Sequence, residues 1–186
     1  MTGNPARLFS VLVSHPVLRL PVEVKMSQNN AAAGDGAMPG LPDWPRRTVA
    51  VLSTVDEDVH AIPVSAPVRA GDRAILLSLH RSRDTLRRIR SRPEVALTFL
   101  AEGDLAFTAR GKATVVEEPM AADPEYTAVS IAVDHVDDHR QPGFRVTAGV
   151  DREWVDEFAR AALAARVSAL SNPQDHQRET PTWSAP

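Results

Sequence analysis

Residues 48–68 read TVAVLSTVDEDVHAIPVSAPV, and the fold turns on how this stretch is read. Residues 48–55 are rich in β-branched side chains and end at the acidic turn Asp56-Glu57-Asp58. From Val59 the pattern alternates. Ile62, Val64, Ala66 and Val68 point one way, and Pro63, Ser65 and Pro67 the other. A period of two is the mark of a strand with one buried face. Two of its outward positions are prolines, which have no N–H to give, so this strand is expected to be open or marginally paired along one edge.

Outward from there, Ala70-Gly71-Asp72 turns the chain into a hairpin partner at 73–79. Residues 83–91 predict a short helix anchored by Leu86 and Ile89 and stopped by Pro93. Strands follow at 95–100, at 105–116 with an interruption at Gly111, and at 127–136. Asp151 is placed to cap a helix running to about Leu170, with Trp154, Phe158, Ala162 and Ala165 near one face. Six strands at short spacing, one helix among them and one after them, predict a mainly β protein of the α+β class, a small barrel with helical cover.

The chain has 186 residues, enough for one domain with a sizeable interior. That domain is expected at 43–171, between an N-terminal extension (1–42) and a polar tail (172–186), both without stable order. The apolar run 8–13 is short and lacks the charged start and small-residue cleavage site of a secretory signal, and Met26 is an alternative start. No stretch is long and apolar enough to span a membrane. The absence of cysteine excludes disulfides, thiolate metal sites and cysteine nucleophiles, and fits a reducing compartment, so the protein is expected to be cytoplasmic.

A formal net charge of -3 makes the whole chain a poor non-specific binder of nucleic acid. Yet residues 81–92 (RSRDTLRRIRSR) hold six arginines against Asp84 alone. One concentrated basic segment points to a local anion site. Ser78, His80, Ser82 and Thr85 add hydroxyl and imidazole groups, Arg81, Arg83, Arg87 and Arg88 add charge, and the helix start adds free N–H donors. A phosphate ester is held by this combination of groups. A solvated basic helix is the competing reading. No G-x-G-x-x-G or G-x-x-x-x-G-K-[ST] occurs, which disfavours the common nucleotide-binding loops.

Asp134-His135-Val136-Asp137-Asp138-His139 has metal-like spacing for a helix, but the alternation before it makes it the end of a strand, where the two histidines do not face together. His60 and His80, with Ser65 and Ser78 nearby in sequence, leave a serine–histidine–acid arrangement open, although no G-x-S-x-G elbow is present. Trp44, between Pro42 and Pro45, is positioned to lid an open end of the barrel.

The order of these pieces resembles the pyridoxamine 5′-phosphate oxidase-like family of split-barrel flavoproteins. Val51-Leu52-Ser53-Thr54 fits its first-strand pattern, Pro63-Val64-Ser65 its P-V-S-like segment, Arg92 to Leu97 its x-P-x-V-x-L pattern, and Gly111-Lys112-Ala113 its later G-x-A. The resemblance covers about half of the chain and implies a six-stranded split β-barrel. It also implies a homodimer binding flavin mononucleotide (FMN), or the deazaflavin F420, at the subunit interface, with haem as a less expected ligand.

By that resemblance Pro63, Val64 and Ser65 lie beside the ring system. Ser78, Leu79 and His80 reach toward the ribityl chain, and Arg83, Thr85 and Arg88 belong to the phosphate-binding stretch. Family members usually carry a basic residue eight positions before the proline and an asparagine five before it; here Thr85 and Arg88 stand there. The implied function is a flavin-dependent oxidoreductase acting on a small organic substrate, and the alternative is a non-catalytic flavin- or haem-binding protein. Neither membrane nor nucleic acid is an expected partner, and no side chain is nominated as an acid or base. Oxidation of pyridoxamine phosphate itself is not expected, because no second phosphate-binding arginine set is present.

Overall fold

The computed structural model describes residues 37–172. Within them lie β1 (Val49–Val55), β2 (Val59–Ser65), β3 (Val68–Arg69), β4 (Ala74–His80), α1 (Asp84–Ser91), β5 (Glu94–Ala101), β6 (Leu105–Glu117), β7 (Tyr126–Asp138) and α2 (Glu157–Ser171). The strands form one antiparallel sheet in the order β2-β1-β5-β6-β7-β4-β3.

That order explains the barrel. β2 and β3 occupy opposite edges of the sheet, yet only Ala66 and Pro67 separate them in the chain. The sheet must curl until its edges approach at that corner, and the result is a split barrel. Ala66, at φ 52°, makes the kink, and its N–H donates to the Thr48 carbonyl at 2.9 Å. The continuous strand expected over 59–68 is therefore two strands, and the sheet has seven rather than six. The physical reason lies in the kinked Ala66 and in Pro67, which has no N–H with which to continue the ladder. β2 pairs only with β1, and its Pro63 has no N–H to offer a second neighbour.

Alternation fills the interior. Ile75, Leu77 and Leu79 of β4, Val95, Leu97 and Phe99 of β5, and Phe107 and Ala109 of β6 are all buried. Phe99 and Phe107 are register partners and stack at 4.5 Å. Trp44 tilts onto Phe99 at 4.6 Å and donates its Nε1–H to the Pro67 carbonyl at 2.9 Å, so it closes the core beside the kinked corner. The interruption expected at Gly111 is a β-bulge between Arg110 and Gly111. A Cβ there would stand 2.0 Å from the Ala132 carbonyl oxygen, so only glycine fits.

Two boundaries differ from the sequence reading. Residues 37–42, assigned above to the extension, run along the barrel: Met38 N–H donates to the Val136 carbonyl and Leu41 is buried in the core. The rest of that extension, and the tail beyond 172, lie outside the described residues. α2 begins at Glu157, because Asp156, not Asp151, is the cap; its carboxylate accepts from the Phe158 N–H at 2.8 Å. With the start moved, the buried stripe is Leu163, Arg166 and Leu170, while Phe158 is 88% exposed. Among the described residues no helix is long and apolar enough to cross a membrane.

Candidate functional site

On β4 the side chains of Ile75, Leu77 and Leu79 enter the core, so Ser78 and His80 take the opposite face. On β2, Val64 turns inward while Pro63 and Ser65 stay exposed. These outward positions, with Tyr126 at the start of β7, form the floor and side of a cleft of about 270 Å³ that α2 covers with Leu163 and Arg166. Arg83, the residue preceding α1, stands at its edge, and Trp154 contributes from the segment before α2.

Of the site residues named from sequence, Pro63, Val64, Ser65, Ser78, Leu79, His80 and Arg83 all line this one cleft. Thr85 and Arg88 do not. Thr85 is fully buried, its hydroxyl 3.3 Å from His60 Nε2 on the inner side of α1. Arg88 bonds Asp84 and Asp58, both at 2.6 Å.

The basic segment is far less basic in three dimensions than in sequence. Arg87 bonds Asp84 at 2.7 Å and Asp56 at 2.9 Å, and Arg90 pairs with Glu118. The acidic β1–β2 turn thus supplies counter-ions to the helix after β4. Hydrogen bonds from Arg87 and then Arg88 hold the Asp84 carboxyl down at about 2, and Arg88 likewise lowers Asp58. Arg83 and Arg92 are the exceptions: among the described residues neither side chain has a hydrogen bond or ion pair, and of the two only Arg83 lines the cleft.

His80 is held from both sides. The Ser82 backbone N–H donates to Nδ1 at 3.2 Å, with the Ser82 hydroxyl 2.8 Å from the same atom. The neutral ring's proton therefore sits on Nε2, 3.5 Å from the Glu125 carboxylate. The ring also meets Tyr126 edge-on at 5.2 Å. His60 and His80 have separate partners, and neither bonds Ser65 or Ser78. His135 and His139 also part company: His135 reaches Asp137 at 3.0 Å and His139 the Thr108 hydroxyl at 2.8 Å.

Sequence reasoning missed Arg166 and Tyr126. The Arg166 guanidinium lies 3.6 Å over the Tyr126 ring centroid and donates through Nη1 to Asp123 at 2.5 Å. A signal for it existed: Leu163, Arg166 and Leu170 share the spacing of a helical stripe, so an arginine stands where an apolar residue is expected. As a donor set, the cleft offers two serine hydroxyls, an imidazole and two guanidiniums. These groups suit a ligand with hydroxyls and an anionic end.

Residues 43–155 match the sequence model of the family described as pyridoxamine 5′-phosphate oxidase. The chain belongs to this family. The match takes in every strand and α1 and stops before α2, so Arg166 lies outside the matched span. Similar solved structures include General Stress Protein 26 from Bacillus anthracis (18% identity, covering 48% of this chain and 82% of that one, TM-score 0.42). HupZ of Group A Streptococcus is similar at 15% identity (55% and 90% covered, TM-score 0.45), and a protein named F420 reductase at 14% (53% and 100% covered, TM-score 0.42). No curated protein matches the chain.

Proposed function

We propose that this protein is a flavin-dependent oxidoreductase that holds FMN or F420 in the cleft between β2, β4 and α2 and exchanges electrons with a small organic substrate. The observation that carries the reading is the convergence of Pro63–Ser65, Ser78–His80 and Arg83 on one cleft in a chain of this family. The donor set fits such a ligand: Ser65 and Ser78 suit ribityl hydroxyls, and Arg83, unpaired and at the edge, suits a phosphate. A bound flavin supplies the electron transfer itself. The chain's part is to orient and enclose. The Ser82–His80–Glu125 contacts fix the imidazole, so His80 presents one orientation to the ligand, and Leu163 excludes water from the covered side.

A homodimer belongs to the same proposal. On the outward face of β1 and β5, Val51 is 43% exposed, Val55 47% and Leu100 54%, apolar area that a second copy would cover. A second reading, a non-catalytic flavin or haem binder, is supported by the placement of α2, whose Leu163 and Arg166 cover a side of the cleft from which a substrate would approach.

Equilibrium titration of ligand-stripped protein with FMN, F420 and haem tests these readings. Tight binding of FMN or F420, followed by reoxidation of the reduced cofactor by organic acceptors, is the expected result. Flavin binding without electron exchange favours the non-catalytic reading, and binding of none of the three overturns both. Sedimentation should give twice the mass of one chain; a strict monomer at micromolar concentration sinks the homodimer.

A further inference from the structure

We propose that Arg166 of α2 recognises the anionic end of the ligand held in this cleft, its guanidinium acting on a phosphate in concert with Arg83. The inference rests on the flavin reading for the identity of the ligand, but not for the chemistry of the site.

Arg166 is 6% exposed, and arginine is rarely buried without a full set of partners. Here the set is incomplete. Nη1 bonds Asp123, the guanidinium plane lies on Tyr126, and Nε is buried with no partner. An unpaired buried donor on a charged group is costly, and native structures keep few of them without a purpose. Arg166 lines the same cleft as Arg83. One partly buried carboxylate, Asp123, pairs with Arg166; Glu125 stands by His80 with its side chain 77% exposed to water. The cleft thus keeps positive charge for a ligand.

A purely structural role, Arg166 and Asp123 tethering α2 to the β6–β7 connection, accounts for the ion pair but not for the place of Arg166 in the cleft wall with Arg83. A buried ion pair is also a poor tether, since apolar residues of similar size hold helices at least as well. α2 and its Arg166 lie outside the matched family region.

The test compares ligands that differ only in the phosphate, and uses inorganic phosphate as an independent probe. In the full-length protein Arg166→Ala should weaken FMN by about 10- to 100-fold and leave riboflavin nearly unchanged. Asp123→Asn, which removes the competing charge, should keep or raise the preference for FMN over riboflavin. Equal loss of both ligands in both variants, or an FMN-to-riboflavin ratio unmoved by Arg166→Ala in protein that retains its helical circular dichroism, overturns the assignment. Inorganic phosphate, titrated against chloride at matched ionic strength, should raise the melting temperature of the wild type but not of Arg166→Ala. If the wild type binds no flavin, the flavin reading fails and the phosphate arm alone decides Arg166. No phosphate-dependent shift in the wild type then sinks it.

Discussion

Helix α1 carries three arginines in eight residues and α2 two in fifteen, and the poorer helix places its charge where a ligand can use it. Arg87, Arg88 and Arg90 pair with Asp56, Asp58, Asp84 and Glu118, all within the barrel's own loops and helix. Arg166 sits in an apolar stripe with a single carboxylate and an unused donor. The difference teaches that charge counted along a chain is not charge available at a site. The β1–β2 turn and α1 are thirty residues apart in sequence, but the fold sets them side by side and each neutralises the other.

The largest effect should appear in how the two helices are anchored. Leu86 is 1% exposed within the main core, and Leu86→Ala should lower unfolding stability by about 2–5 kcal/mol in urea titrations. Leu170 is buried in a small satellite cluster with Met120 and Ala128, so Leu170→Ala should fall near the lower end, about 2 kcal/mol. Equal losses would show that α2 is as integral to the barrel as α1.

Next in size is the split between Arg83 and its neighbours. Arg83→Ala should weaken FMN about 10- to 100-fold relative to riboflavin, the loss of one charge-assisted contact. A matching loss in Arg87→Ala would break the distinction between paired and unpaired arginines.

Acid sharpens the same point. The Asp84 carboxyl is held at about 2 in the folded chain against an ordinary 3.8, and Asp58 is lowered too. A depressed folded value means that the contribution is complete above about 4 and is lost as pH falls toward 2. A carboxyl-carbon titration by NMR should place the Asp84 midpoint near 2; a midpoint at the ordinary value shows that the arginine pairs do not persist in solution. The smallest change is expected from Arg87→Ala itself, whose solvent-screened pairs should leave the midpoint of chemical denaturation almost unmoved.

Much of the fold could be read from local pattern. Alternation in 48–68 and 73–79 identified strands because a half-buried strand must repeat every second residue. Pro93 ends α1 where expected, and Gly111 interrupts β6 for want of room beside Ala132. The reading failed where a tertiary contact decided a local choice. Ala66 left the extended region because the edges of the sheet had to meet, and the cap of α2 fell to Asp156 rather than Asp151. Seven of the nine nominated site residues line one cleft, and Pro63, Ser65, Ser78 and His80 do so from the outward face to which alternation assigns them. Thr85 and Arg88 were named from positions in a helix, where facing depends on what packs against it.

The sequence by itself determined the strands, the short basic helix and the faces of β2 and β4, because periodicity and proline chemistry act over a few residues. Only the tertiary structure decided which arginines are free. An arginine's availability depends on carboxylates brought to it from distant turns, and Coulomb attraction falls with distance in space and not with separation along the chain.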